Sequence, residues 1–270
     1  MKFSTGLILL TFSWSFLLPP AGRAQAQAPP ATVTVFMVGD STMADKPLIP
    51  ANPERGWGQM LPMYFKDGVR IENHAVNGRS TKSFIDEGRW QVVADRLKPG
   101  DYVIIQFGHN DEKKNDTNRY TAPFGGFETN LEMFVDEARR HEATPVLATP
   151  VARRKFDDDG RLVDTHGDYP NAVRQVAQER HVPLVEMNTR SIELLTRMGP
   201  ESSKRLFDWI PAGEYDRFPK GLSDDTHFNA YGASRMCDLA VGEIKSAVPG
   251  LAAWLKPVSV TNTNQGGLEK

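Results

Sequence analysis

Short apolar runs alternate with longer amphipathic ones along most of this chain. Val33 to Val38, Val69 to Asn73, Tyr102 to Phe107, Pro145 to Thr149 and Pro183 to Met187 read as strands. Their near-continuous apolar character predicts burial on both faces, and the intervening segments are long enough for helical crossovers, so the pattern points to a parallel sheet. Helices are predicted over about Phe124 to His141, Tyr169 to Arg180, Thr189 to Met198 and Ala230 to Ala247. Phe127, Leu131, Phe134, Val135 and Ala138 form an apolar stripe at helical spacing in the first of these. The expected fold is a flavodoxin-like three-layer α/β/α arrangement with a five-stranded parallel sheet, doubly wound. In such a sheet the ligand site lies beyond the carboxyl ends of the strands. Asp40-Ser41 follows the first strand, Asn77-Gly78 the second, and Gly108-His109-Asn110-Asp111 the third.

The two ends break this pattern. Lys2 precedes an apolar run from Leu7 to Leu18, and small residues follow through Ala24-Gln25-Ala26-Gln27-Ala28, the layout of a cleaved export signal. Residues 1–28 are therefore expected to be a signal peptide, 29–258 one catalytic domain and 259–270 a loose polar tail. Secreted or periplasmic location follows, with no membrane attachment once the leader is gone, because its apolar core is short of the ~20 residues of a bilayer span. Cleavage would remove Lys2 and Arg23 and no acid, moving the formal charge from −2 to −4. Such an acidic balance gives no support for nucleic-acid binding. Cys237 stands alone, so no intramolecular disulfide can form, and its place beside Met236 and Leu239 suits a buried thiol.

Two segments carry chemistry. Val38-Gly39-Asp40-Ser41-Thr42 places a serine on a strand-to-helix turn, and Asp224-Asp225-Thr226-His227-Phe228 supplies a histidine with carboxylates close before it. A serine hydroxyl is a poor nucleophile at neutral pH and needs a base within hydrogen-bond reach, itself oriented by an acid. Ser41, His227 and either Asp224 or Asp225 can fill those roles. A helix N-cap is the plain alternative for Ser41.

Gly39-Asp40-Ser41-Thr42-Met43, Asn77-Gly78-Arg79-Ser80, Gly108-His109-Asn110-Asp111 and Asp224-Asp225-Thr226-His227 resemble, in order, the four blocks of the SGNH hydrolases, also called the GDSL family. Thr42 stands where the eponymous leucine would be. With Gly56-Trp57-Gly58-Gln59-Met60-Leu61, that departure is similar to the rhamnogalacturonan acetylesterase branch. The resemblance spans essentially the whole expected domain. It implies Asp224 as the acid, three residues before His227, and leaves Asp225 a loop-capping or solvated spacer on a short loop. It also implies an oxyanion hole from the backbone N–H of Ser41, that of Gly78 and the amide of Asn110, with Asp40, His109 and Asp111 supporting loop geometry.

The activity implied is hydrolysis of O-acetyl esters on a plant cell-wall polysaccharide, acetylated rhamnogalacturonan first, with no metal or organic cofactor and a monomeric enzyme. Arg79 and Lys82, with Arg89 nearby, are candidate contacts to an acidic polysaccharide, though solvated helix-face charges would look the same. A xylan or peptidoglycan deacetylase shares every catalytic residue, and a lipase or lysophospholipase would need an apolar groove. A non-catalytic carbohydrate-binding protein would have no use for an activated serine. His74, His141, His166 and His181 lack ligand spacing, Asp157-Asp158-Asp159-Gly160 reads as a solvated turn, and Trp57 as core or pocket wall.

Overall fold

A computed structural model of the chain describes Met1 and residues 32–257. The expected leader, Met1 apart, and the expected tail lie outside the described residues. Five parallel strands make the central sheet: β1 (Val33–Gly39), β3 (Val69–Asn73), β4 (Tyr102–Gln106), β5 (Thr144–Ala148) and β6 (Leu184–Val185), in the order β3-β1-β4-β5-β6. That is the flavodoxin-like order, in which the connections out of β1 and out of β4 diverge to opposite sides. The cleft at this reversal lies at the carboxyl end of β1, where Ser41 sits.

Burial on both faces explains the unbroken apolar runs. Val35 and Met37 belong to one core with Trp57, Met236 and Ile244, whereas Phe36 and Val38 face the other with Phe84, Phe134 and Val173. Helix Glu128–Arg140 covers the second core through the stripe Leu131, Phe134, Val135 and Ala138. Among the described residues no helix is long and apolar enough to cross a membrane.

Three elements differ from expectation for local reasons. The helix expected from Phe124 begins only at Glu128, because Phe124 and Gly125 hold non-helical backbone in the Pro-Phe-Gly-Gly-Phe segment. The last strand keeps only two residues, Leu184 and Val185, since the chain turns into the helix Met187–Ser202 directly afterwards. That helix starts two residues before the expected Thr189; its helical path breaks after Met198, the expected end, because Gly199 takes a positive φ, and a short second piece follows over Pro200.

A second sheet was not foreseen. Strands β2 (Glu54–Arg55), β7 (Phe207–Ile210) and β8 (Leu222–Asn229) pair antiparallel in the order β2-β8-β7. Asp224 and His227 therefore stand on a strand rather than on a short loop before helix Ala230–Ala247. Phe207 pairs with Phe228 and Trp209 with Ser223, so β8 takes five steps where β7 takes two. The four residues Asp224 to His227 stand opposite the single residue Asp208, a surplus of three that bulges out of the ladder. In a regular strand residues three apart point to opposite faces; the bulge lets both side chains face the same way.

Candidate active site

The turn after β1 is knitted by side chains. Asp40 Oδ1 accepts hydrogen bonds from the backbone N–H of Thr42 at 2.9 Å and from its hydroxyl at 2.8 Å. Gln106 Nε2 donates to the same hydroxyl at 2.8 Å, and Trp57 Nε1 donates to Gln106 Oε1 at 2.9 Å. The departure from the family's leucine thus has a purpose in this chain: Thr42 bonds where leucine would only pack. Trp57 is fully buried core. No helix begins at Ser41, which lies in a turn, so it is not an N-cap; its hydroxyl has another partner.

That partner is His227. Ser41 Oγ lies 2.9 Å from His227 Nε2, and His227 Nδ1 lies 2.7 Å from Asp224 Oδ2. Asp224 Oδ1 accepts the N–H of Thr226 at 2.6 Å and that of His227 at 2.9 Å, so the carboxylate also fastens the bulge that carries it. Burial raises the Asp224 pKa, but the bonds and charge of His227 outweigh it and the net shift is downward. Burial of the imidazole opposes its protonation, yet the Asp224 carboxylate prevails and holds the His227 pKa above its ordinary value. A base of raised pKa with an ionised partner is well matched to taking a hydroxyl proton near neutral pH.

Asp225 keeps the exposure expected of it, 43% for its side chain, but is more than a solvated spacer. Its carboxylate accepts from Arg154 Nη1 at 2.6 Å and from Trp209 Nε1 at 2.9 Å, and its backbone C=O accepts the Arg154 N–H at 2.8 Å. Arg154 is itself buried, with Nε on Ser203 Oγ and Nη2 on the Pro200 carbonyl. Nothing in the sequence marks Arg154 as a partner, because 71 residues separate it from Asp225.

The second and third blocks meet beside this site. Gly78 holds φ +76°, a left-handed backbone that L side chains rarely adopt, which explains the glycine. Asn110 Nδ2 donates to the Arg79 carbonyl at 3.0 Å, while its Oδ1 accepts from Lys113 Nζ at 2.8 Å and Arg119 Nη1 at 3.4 Å. One Asn110 N–H is left over for a ligand. Asp111 Oδ1 binds both the N–H and the hydroxyl of Thr81, tying the third block to the helix that follows the second. His109 Nδ1 lies 3.2 Å from Asp40 Oδ2, off the line of a hydrogen bond, and both atoms are buried. Asp40, His109 and Asp111 thus sit in the loop framework.

Of the candidate substrate contacts, Arg79 lines a polar cavity of about 450 Å³ with Asn77, Gly78, Asp116, Asn118 and Arg119. Lys82 is paired with Asp86 on an exposed helix face and does not line it. Lys46, Glu54 and Asp208 went unremarked in the sequence. Buried Lys46 pairs with Glu54 at 2.7 Å and bonds Asn77 Oδ1 at 2.5 Å, and both charges act on His227. Burial, then Glu54 and Asp224, push the Asp208 carboxyl up to about 7.

The remaining candidates are structural. His166 is buried, with Nδ1 on Glu112 and Nε2 on the Val151 carbonyl, and Asp157 Oδ1 closes its own turn onto the N–H groups of Asp159 and Arg161. Cys237 is buried and its Sγ donates to the Trp57 carbonyl. Among the described residues no group of three or more His, Cys, Asp or Glu could hold a metal ion.

A model of the GDSL-like lipase/acylhydrolase family matches residues 37–235. The chain belongs to that family. Rhamnogalacturonan acetylesterase RhgT of Bacillus subtilis is 43% identical to this acylhydrolase over 213 residues, 79% of this chain and 90% of RhgT. A rhamnogalacturonan acetylesterase of Emericella nidulans is 45% identical over 225 residues, 76% of this chain and 82% of that one. Among solved structures, YxiM of B. subtilis superposes with a TM-score of 0.67 at 26% identity, covering 79% of this chain and 56% of YxiM. The acetylxylan esterase Axe2 of Geobacillus stearothermophilus shares the fold, with a TM-score of 0.56 at 18% identity over 78% of this chain and 93% of Axe2. The protein is a carboxylic ester hydrolase with the α/β fold of its family.

Proposed function

We propose that this hydrolase removes O-acetyl groups from rhamnogalacturonan through an acetyl-enzyme on Ser41. The observation that carries the chemistry is the unbroken run from Ser41 Oγ through the His227 ring to the Asp224 carboxylate, at 2.9 and 2.7 Å. Ser41 Oγ attacks the acetyl carbonyl carbon while His227 Nε2 takes its proton. The carbonyl oxygen becomes an oxyanion facing the N–H groups of Ser41 and Gly78 and the Asn110 amide. The ester C–O bond breaks, the sugar oxygen leaves with the proton from His227, and the acetyl group stays on Ser41. Water then attacks the acyl carbon, again giving its proton to His227, and acetate departs as Ser41 recovers its hydrogen. Asp224 keeps the Nδ1 proton in place throughout and stabilises the imidazolium, and no step calls for a cofactor.

The substrate reading rests on the two relatives named for rhamnogalacturonan and on their coverage of most of this chain. Export follows from the leader composition of residues 1–28, which suits an enzyme whose polymer substrate lies outside the cell. We read the enzyme as a monomer. Acetate release from acetylated rhamnogalacturonan, xylan and peptidoglycan, by the wild type and by Ser41→Ala, tests both parts. The expected result is preference for rhamnogalacturonan and a loss on the order of 10³-fold or more in the variant. Activity of Ser41→Ala within tenfold of wild type would overturn the nucleophile, and preference for xylan or peptidoglycan would overturn the substrate.

A further inference from the structure

Positive charge gathers at one place on this acidic chain. Lys113 Nζ and Arg119 Nη1 converge on a single neutral acceptor, Asn110 Oδ1, at 2.8 and 3.4 Å. Arg119 also borders Gly78: a Cβ on that glycine would lie 3.6 Å from Nη1. Across the same cavity stands Arg79, which shares the Glu87 carboxylate with Arg89. Asp116 takes the Nε of Arg119. Four cations, Arg79, Arg89, Lys113 and Arg119, thus meet two carboxylates, on a protein whose formal charge is −2. Glu112, the next acid, is committed to Arg153 and His166.

The bonding geometry says what is missing. Glu87 and Asp116 hold Arg79 and Arg119 through Nε, while Nη1 donates to the Asn77 carbonyl in one and to Asn110 Oδ1 in the other; Nη2 of each has no protein acceptor among the described residues. Lys113 has an amide oxygen where a carboxylate would bind more strongly. Partial desolvation, then the neighbouring Arg119 and Arg153, lower its pKa against the opposing pull of Glu112 and Asp116. The lining of Asn77 and Asn118 offers amide partners to a sugar ring. We propose that this cavity is a subsite for a uronate residue of the substrate chain, its carboxylate taken by Arg119 in the lining together with Lys113, which lies outside the lining but meets Arg119 at Asn110 Oδ1, and its hydroxyls by Asn77 and Asn118. This rests on the deacetylase reading above and adds that the enzyme recognises the acid next to the ester it cleaves.

A matched pair of substrates tests it: acetylated rhamnogalacturonan oligosaccharides, and the same oligosaccharides with their carboxyl groups reduced to alcohols. Both carry the same acetyl ester, so the ratio of their kcat/KM values cancels any change in the chemical step. The wild type should favour the acidic form by about tenfold or more, the scale of a partly desolvated charged hydrogen bond, with the preference shrinking as salt is added. Lys113→Gln and Arg119→Gln should each cut the ratio severalfold, and together bring it close to one. Lys114→Gln, which alters the same net charge one residue along but at a side chain with no bond to Asn110, should leave it unmoved. A wild-type ratio near one, a ratio that survives the double variant, or an equal drop in Lys114→Gln overturns the subsite while leaving the esterase intact. If neither oligosaccharide is deacetylated while an aryl acetate is hydrolysed, the polysaccharide reading itself falls and the subsite with it.

Discussion

Arg154 holds Asp225 at two points, through its guanidinium to the carboxylate at 2.6 Å and through its backbone N–H to the carbonyl at 2.8 Å. Asp225 lies between Asp224 and Thr226 in the bulge of β8, so this clamp fixes from behind the segment whose front presents Asp224 and His227. Two adjacent aspartates of identical chemistry are thereby divided by the direction in which the bulge turns them. Asp224 faces the imidazole and Asp225 faces a buried guanidinium.

Opposite consequences are expected from the two isosteric substitutions. Asp224→Asn should lower kcat by about 10⁴, the scale seen when a triad acid loses its charge and the histidine takes the wrong tautomer. Its melting temperature should change little. Asp225→Asn should cost far less in kcat and should appear mainly as a stability loss of about 1–3 kcal/mol, because the buried Arg154 loses its charged acceptor. Steady-state kinetics with a denaturant titration on each variant separates the cases. An inactive Asp225→Asn beside a normally active Asp224→Asn would reverse the assignment.

Thr42 gives a second prediction, from the turn beneath Ser41. Thr42→Val keeps the shape of a residue that is 1% exposed but deletes the hydroxyl bonded to Asp40 and Gln106. Leaving Gln106 Nε2 without an acceptor in the core should destabilise the protein by about 1–3 kcal/mol. The shift of the denaturant midpoint at unchanged m-value measures it. A midpoint equal to that of the wild type would show that the hydroxyl network does not support the turn.

Much of the fold was legible because a strand buried on both faces cannot hide: Val33–Gly39 and Tyr102–Gln106 each ended within one residue of where hydrophobicity placed them, and the helix Ala230–Ala247 matched its pattern. The resemblance of four blocks named Ser41, Asp224, His227, Gly78 and Asn110, and the geometry brings Ser41, His227 and Asp224 into contact and sets Asn110 against the second block. The small antiparallel sheet was not legible. Two-residue β2 carries no periodicity, and Ser223 to His227 reads as a polar loop because β8 is anchored only at its two ends, Leu222 and Ser223 on β7, Phe228 and Asn229 on β7 and β2. Arg154, Lys46, Glu54 and Asp208 were missed for a related reason. Their roles depend on partners far away along the chain, and a lone charged residue in sequence looks like a solvated one.

The raised pKa of His227 fixes the direction of the acid limb. Only the neutral ring can take the Ser41 proton, so kcat/KM should fall as pH drops through the His227 pKa, with a midpoint above the ordinary histidine value near 6.5. The linkage to stability runs the other way. A histidine whose folded pKa exceeds its unfolded one contributes stability that is fully present below about 6.5 and is lost as pH rises through the folded pKa. In Asp224→Asn the cause of the upward shift is gone, and the limb should move to lower pH along with the fall in rate. A pH–rate profile of wild type and variant on an aryl acetate checks this, and an acid limb centred below 6 in the wild type would contradict the geometry.

Asp208 supplies the last and most independent prediction, since it is buried beside the triad and takes no part in the chemistry. Its Oδ1 has no hydrogen-bond partner among the described residues, and burial with the nearby Glu54 and Asp224 raises its pKa to about 7. An acid whose folded pKa lies above its unfolded value near 4 keeps its proton in the folded state while the unfolded chain has already released it. Stability is therefore lost progressively as pH rises from about 4 to about 7, and above that the folded protein carries a buried charge facing two other carboxylates. Asp208→Asn keeps the shape and cannot ionise. It should raise the melting temperature clearly more at pH 8 than at pH 5, where only the first part of that loss has accrued. Melting curves of both proteins at the two pH values decide the matter: equal effects at pH 5 and 8 would mean that Asp208 is not the group that titrates between them.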